Sequence, residues 1–204
     1  MKSRIRISIL PPVDAFLISA GVVALAEIGD KTQLLALVLA ARYRKPLPII
    51  AGIVVATLAN HSIAGAIGAS VVRVLGPEAL RWVLAASFFG MAVWTLIPDT
   101  LDAAAAERRP RLGVFGTTVV SFFLAEIGDK TQVATLALAA RFHSFYWVVA
   151  GTTTGLLLAD VPAVLIGERL AGRLPTRTVH AVAAAIFALL GVLVLLPGAA
   201  ALVG

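Results

Sequence analysis

Residues 25–42 read LAEIGDKTQLLALVLAAR, and residues 124–141 read LAEIGDKTQVATLALAAR. Fourteen of these 18 positions are identical at a constant offset of 99, nine of them in one unbroken run. The offset continues outward without gaps. Ala51-Gly52 matches Ala150-Gly151, Ala64 matches Ala163, Gly68 matches Gly167, Phe88 matches Phe187 and Pro98 matches Pro197. Self-similarity over this length means that the chain is two copies of one unit.

The unit is built from apolar blocks. They fall at 13–41, 46–72, 79–98, 112–140, 145–168 and 178–200, three in each copy. About 20 residues of helix cross a hydrocarbon core of ~30 Å. Helix is the expected form, because the alternation of a barrel strand is absent and lipid satisfies no backbone group. Three crossings per copy is an odd number, so the second copy enters the membrane from the opposite side. The expected fold is therefore all-α and integral to the membrane: six transmembrane helices arranged as two inverted three-helix repeats. Residues 1–98 form the first repeat, 99–111 a polar linker with Asp102, Glu107, Arg108, Arg109 and Pro110, and 112–204 the second repeat.

Composition agrees and excludes other classes. Of 204 residues, 60% are apolar and 14% charged, too few charges to cover a soluble domain of this size. The net charge of +6 is carried by short breaks between apolar blocks, which marks topology rather than a nucleic-acid partner. No cysteine is present, which removes disulfides and thiol chemistry. Lys2, Arg4 and Arg6 before an apolar run ending Ala24-Leu25-Ala26 imitate a signal peptide. The recurrence of Leu-Ala-Glu at 124–126 explains that run better as part of the repeat. If the N-terminal tail defines one side, six basic residues lie there (Lys2, Arg4, Arg6, Arg73, Arg81, Arg141). Nine lie opposite (Arg42, Arg44, Lys45, Arg108, Arg109, Arg111, Arg169, Arg173, Arg177). That places the 99–111 linker in the cytoplasm and both termini outside, although the basic tail argues the other way.

The repeated motif carries the chemistry. Glu27, Asp30, Glu126, Asp129 and Asp160 are five of the eleven acids, all deep in apolar blocks, where a charge costs about 3 kcal/mol or more. On an ideal helix Glu27, Asp30, Lys31 and Gln33 share one face, as do Glu126, Asp129, Lys130 and Gln132. Brought together, four carboxylates suit a hard divalent cation, with Glu27, Asp30, Glu126 and Asp129 as ligands. Lys31 and Lys130 leave the ionised cluster at −2, a charge that one divalent ion or two protons neutralise. This points to exchange of metal for protons, with transport sensitive to a pH gradient. The competing reading is an ion-pair staple in which each Glu compensates its own Lys at i, i+4, which leaves both aspartates unpaired.

Gly29 and Gly128 sit inside the motif. They fit either a broken helix whose carbonyls join the site or a continuous tilted helix packed closely at the glycine. Thr32 and Thr131 reach the site only if the helix breaks. Gly52-x3-Ala56, Gly151-x3-Gly155, Ala64-x3-Gly68 and Ala163-x3-Gly167 are small-residue faces for close helix approach. His61 aligns with Asp160, and both are candidate supporting or proton-relay groups. Asn60 offers an oxygen that Ala159 does not match. His143 and His180 read as interfacial, and Trp82, Trp94, Trp147 and Tyr43 as an aromatic belt. No phosphate loop, nucleophile elbow or zinc spacing occurs, so no enzyme and no tightly bound cofactor is expected.

Two copies of E-x-G-D-K-T, one per three-helix half, resemble the Gdt-type family of manganese/calcium–proton exchangers, also called calcium:cation antiporter family 2. The resemblance covers about residues 13–200. It implies a six-helix carrier moving manganese, and in some members calcium, against protons. It also implies that Glu27, Gly29, Asp30, Lys31 and Thr32, with Glu126, Gly128, Asp129, Lys130 and Thr131, are the functional motif residues. The short linker is similar to compact bacterial members, in which manganese export is the usual role. The expectation is thus an inner-membrane, multi-pass exporter of a divalent cation, most simply manganese, in exchange for protons. A calcium–proton antiporter, an exporter of a small cationic solute and a non-transporting membrane scaffold are the alternatives.

Overall fold

The glycine in each motif decides the backbone around it. The computed structural model describes residues 12–97, 112–166 and 176–196. Eight helices are present among them and no strand: α1 (Pro12–Glu27), α2 (Lys31–Tyr43), α3 (Pro46–Val74), α4 (Pro77–Thr95), α5 (Gly113–Glu126), α6 (Lys130–Phe142), α7 (Phe145–Ile166) and α8 (Thr176–Leu195). The N-terminal tail, the 99–111 linker, Gly167 and most of the break before α8 lie outside the described residues.

The first and fourth apolar blocks are each two helices. Ile127 has φ −62° and ψ 121°, Gly128 has φ +72°, and the Asp129 N–H donates to the Glu126 carbonyl at 3.1 Å. This is a type II turn, whose third residue needs positive φ and hence glycine. The first copy repeats it: Gly29 has φ +82° and the Asp30 N–H donates to Glu27 O at 2.9 Å. Of the two readings of the glycine, the broken helix holds. The arrangement along one ideal helix face does not, because glutamate and aspartate belong to different helices.

The remaining punctuation is equally local. Asp30 and Asp129 take extended backbone as N-caps of α2 and α6. Both helices end in a left-handed residue at matched positions, Arg44 with φ +52° and His143 with φ +50°. Proline opens α3 and α4, where a missing N–H costs nothing. Among the described residues three helices are long and apolar enough to cross a membrane: Pro46–Val74, Phe145–Ile166 and Arg177–Leu195. Gly113–Glu126 is a shorter apolar helix.

Packing runs between the copies. α1 lies along α7, and α5 along α3. A Cβ on Gly52 would strike Thr118 on α5, and one on Gly151 would strike Ser19 and Phe16 on α1. Position 118 is 19 plus the offset of 99, so the two contacts are equivalent. Gly155 presses on the Ala20 carbonyl, and Gly68 on the Leu136 carbonyl of α6. The small-residue faces therefore seat the broken helices of the opposite copy. α4 packs mainly against α8, and this pair touches the other six helices through α6 and α1. The two bodies share one apolar cluster around Phe88, Met91, Phe187, Leu138 and Val22, and a second around Ile53, Phe122, Leu156 and Leu35 lies within the six.

Candidate functional site

Each motif residue has a position set by the break. Glutamate ends one helix, Ile-Gly makes the turn, aspartate caps the next helix, and Lys-Thr-Gln forms its first turn. The ends of α1 and α5 and the starts of α2 and α6 meet in one place, where residues of the two copies pair. Glu27, Asp30, Glu126, Asp129, His61 and Asp160 are all buried there.

The lysines cross between copies. Lys31 Nζ is 2.8 Å from Asp129 Oδ1, and Lys130 Nζ is 2.7 Å from Asp30 Oδ1. The positions are again exchanged by the offset of 99. A lysine at the first position of a helix meets the positive end of the dipole, so reaching away to another helix's aspartate is favourable. This corrects the staple reading. Lysine pairs with aspartate of the other copy and not with its own glutamate. The motif aspartates have counter-charges, whereas both carboxylate oxygens of Glu27, like those of Asp160, make no hydrogen bond.

Threonine and glutamine take different parts. Thr131 Oγ1 lies 3.3 Å from both Glu126 Oε2 and Asp129 Oδ2, so the break does bring it to the carboxylates. Thr32 is buried, with its hydroxyl unbonded. Gln33 and Gln132 do not join the carboxylate face. Gln33 Oε1 accepts from the Gly29 N–H at 2.8 Å, and Gln132 Oε1 from the Gly128 N–H at 2.8 Å. Their amide nitrogens donate across the copies, Gln33 to the Ala159 carbonyl at 3.0 Å and Gln132 to Asn60 Oδ1 at 3.2 Å. Asn60 Nδ2 in turn donates to the Phe123 carbonyl at 3.0 Å, which the end of α5 leaves without its helical partner. The motif is thus a type II turn joined to an aspartate N-cap, in which the glutamine at the third helical position reaches back past the cap to the glycine N–H. E-I-G-D followed by Q at the third helical position is the signal that reveals it, and reading the motif only as a helix face hides it.

Support from α3 and α7 differs between copies. His61 Nε2 stands 3.8 Å from Glu126 Oε2, closer to an ion-pair distance than a hydrogen bond. Asp160, at the matching position, has both oxygens unbonded and lies in coulombic range of Glu27 and Glu126. His180 is not an idle interfacial residue. Its Nε2 is 2.6 Å from the Ile28 carbonyl, in the turn between α1 and α2. His143 is exposed at its helix end. Among the described residues no three acids or histidines gather closely enough to hold a metal ion in this conformer. The lysines stand between the carboxylates instead.

Buried acids crossed by lysines, where broken apolar helices meet, define a membrane protein that handles ions at half-helix ends. The model of the divalent cation/proton antiporter GDT1 matches this chain at residues 15–103 and 114–201. The chain belongs to that family. It is 53% identical over 174 residues to a Vibrio cholerae protein named "Putative manganese exporter", covering 85% of this chain and 86% of the relative. It is 31% identical to a GDT1-like protein of Synechocystis over 87% of this chain and 95% of that one. It is also 26% identical to GDT1-like protein 5 of Arabidopsis thaliana, over 88% and 94% respectively. No solved structure matches the chain.

Proposed function

We propose that this antiporter exports manganese in exchange for protons across the cell's inner (plasma) membrane, through six spans arranged as two inverted repeats of residues 1–98 and 112–204. Spans 1 and 4 are α1–α2 and α5–α6, each broken at its glycine. Glu27, Asp30, Glu126 and Asp129 bind the cation and the protons. Lys31 and Lys130 hold the aspartates when cargo is absent. The observation that carries the reading is the reciprocal pair Lys31–Asp129 and Lys130–Asp30 beside the unbonded Glu27 carboxylate.

The mechanism follows from charge. Ionised, the four carboxylates and two lysines sum to −2. A divalent ion brings this sum to zero while both ammonium groups stay beside the carboxylates, although it must take their place as the aspartates' direct partner. Two protons also neutralise it. Either state is tolerable in a low dielectric, whereas the doubly charged cluster is costly. The C-terminal ends of α1 and α5 add the negative pole of the helix dipole, which favours a cation. Gln33 and Gln132 fix the two turns, and so fix where each glutamate stands relative to its aspartate.

The test is flux in proteoliposomes under an imposed pH gradient, with manganese and calcium supplied separately. Manganese flux should follow the gradient, and Glu27→Gln or Glu126→Gln should each lower it by about 100-fold or more, since even groups behind the ligands change metal affinity by 10–100-fold. Flux of calcium but not manganese would reassign the cargo. Manganese flux indifferent to pH would overturn exchange with protons.

A further inference from the structure

The two copies share a motif but not surroundings. On the proposed topology, α1 and α6 lie on the side of the termini, and α2 and α5 on the side of the 99–111 linker. The α4–α8 pair packs against α6 and α1. Equivalence by the offset would place α8 on α2 and α4 on α5, and neither makes a comparable contact among the described residues. Burial follows the same division. Lys130 is fully buried, and its counterpart Lys31 is 26% exposed. Arg141 at the end of α6 is buried, and Arg42 at the end of α2 is exposed. The molecule is closed toward the termini and more open toward the linker.

One contact marks this asymmetry at the site itself. His180 of α8 holds the Ile28 carbonyl, in the turn between Glu27 and Asp30. The residue equivalent to His180 is Arg81 of α4, and the residue equivalent to Ile28 is Ile127. Arg81 is engaged on the surface, at 2.9 Å from Glu78 and stacked on Trp82, while its Nε is buried without a hydrogen-bond partner. Ile127 is 53% exposed. So among the described residues no side chain holds the second turn as His180 holds the first, and the donor that would supply the hold stands at the matching position.

We infer that His180 and Arg81 are alternating positioning residues: His180 fixes the first turn when the site faces the linker side, and Arg81 takes the Ile127 carbonyl when it faces the termini. The inference rests on the inverted-repeat reading. The two turns and their flanks are the same nine residues, so their local energies are alike, and exchanging their surroundings gives a second conformer within a few kcal/mol. The moving boundary is the α4–α8 pair against the other six helices, which the small-residue contacts keep together. In the second conformer Lys31 is buried and Lys130 becomes accessible. Both donors act on backbone carbonyls, so neither needs contact with the cargo.

The chain has no cysteine, so introduced pairs report alone. Ile28→Cys with His180→Cys, and separately Ile127→Cys with Arg81→Cys, are treated in proteoliposomes with a short, reducible bifunctional thiol reagent and read by mass spectrometry. The first pair should cross-link at rest. The second should cross-link under a metal or pH gradient of one direction and diminish under the reverse. Each cross-link should lower flux by at least about tenfold, with recovery on reduction, because a locked carrier no longer alternates. The inference is overturned if the second pair never cross-links while its thiols still label, or if the cross-linked protein transports normally. Cross-linking is read without reference to cargo. If both pairs respond to gradients but no manganese moves, the manganese reading fails and the alternation stands. As a milder control, His180→Gln retains an N–H donor and should keep flux within about twofold, whereas His180→Leu should lose about tenfold with little change in manganese binding. Equal loss in both would mean a merely structural role.

Discussion

The stretches Leu25–Gln33 and Leu124–Gln132 are the same nine residues, and they fold alike in unlike surroundings. The turn, the extended backbone of the capping aspartate and the glutamine's return to the glycine N–H are reproduced almost angle for angle, although only Asp129 accepts from its threonine N–H. What differs comes from elsewhere: Asn60 against Ala159, His61 against Asp160, His180 against Arg81, and the lean of α4 and α8. Local sequence therefore sets the geometry of each half-site, and the neighbouring helices set its exposure. Substitutions made in matched pairs separate the two causes.

The largest difference should come from the lysines. Lys130→Met leaves Asp30 fully buried without that ammonium, and removing one member of a buried pair costs about 3–5 kcal/mol. Lys31→Met affects a pair with one partly exposed member, and water offsets part of the loss, so about half that cost is expected. Thermal unfolding in detergent measures both. Equal losses would mean that exposure of Lys31 is not part of the site's energetics, and the comparison between halves would collapse.

The turn glycines should behave in the opposite way, alike in both halves. Gly29→Ala and Gly128→Ala each put a side chain at positive φ, at a cost of about 1–3 kcal/mol. No neighbour lies near a Cβ built on Gly128, so the penalty there is conformational and not steric. Matching shifts in unfolding temperature are expected. A difference of more than about 1 kcal/mol would show that surroundings reach into the turn itself.

These outcomes bear on how much the sequence discloses. The repeat, the helical class and the family are legible because they depend on composition and on residues that recur at one offset. The buried acids are legible because ionisable residues in apolar blocks are expensive. The crossed pairing is not, because helical spacing places Lys31 near Glu27 and carries no information about the other copy. The break is half legible: glycine permits it, and the choice needs Asp at the cap and Gln at the third helical position read together. His180 is opaque for a simpler reason. Its partner is a backbone carbonyl 152 residues away, and carbonyls have no sequence signature.

The smallest and most discriminating change is Asn60→Ala, which makes the first copy match the second at this position. Asn60 accepts from Gln132 and donates to Phe123 O, so the substitution removes two hydrogen bonds. Gln33 manages without such a side chain, since its amide donates directly to the backbone carbonyl of Ala159. If Gln132 can turn to the equivalent carbonyl at position 60, only the Phe123 carbonyl is left unsatisfied, and the loss should be about 1 kcal/mol. Gln132→Leu has no such substitute and frees the Gly128 N–H as well, so it should cost about twice as much. A double-mutant cycle on Asn60 and Gln132, read by thermal unfolding, separates these cases. Near-zero coupling would mean that Gln132 finds its new acceptor. Coupling as large as the whole Gln132→Leu loss would mean that Asn60 is irreplaceable, and that the half-site around Glu126 is held by a side chain where its counterpart is held by backbone alone.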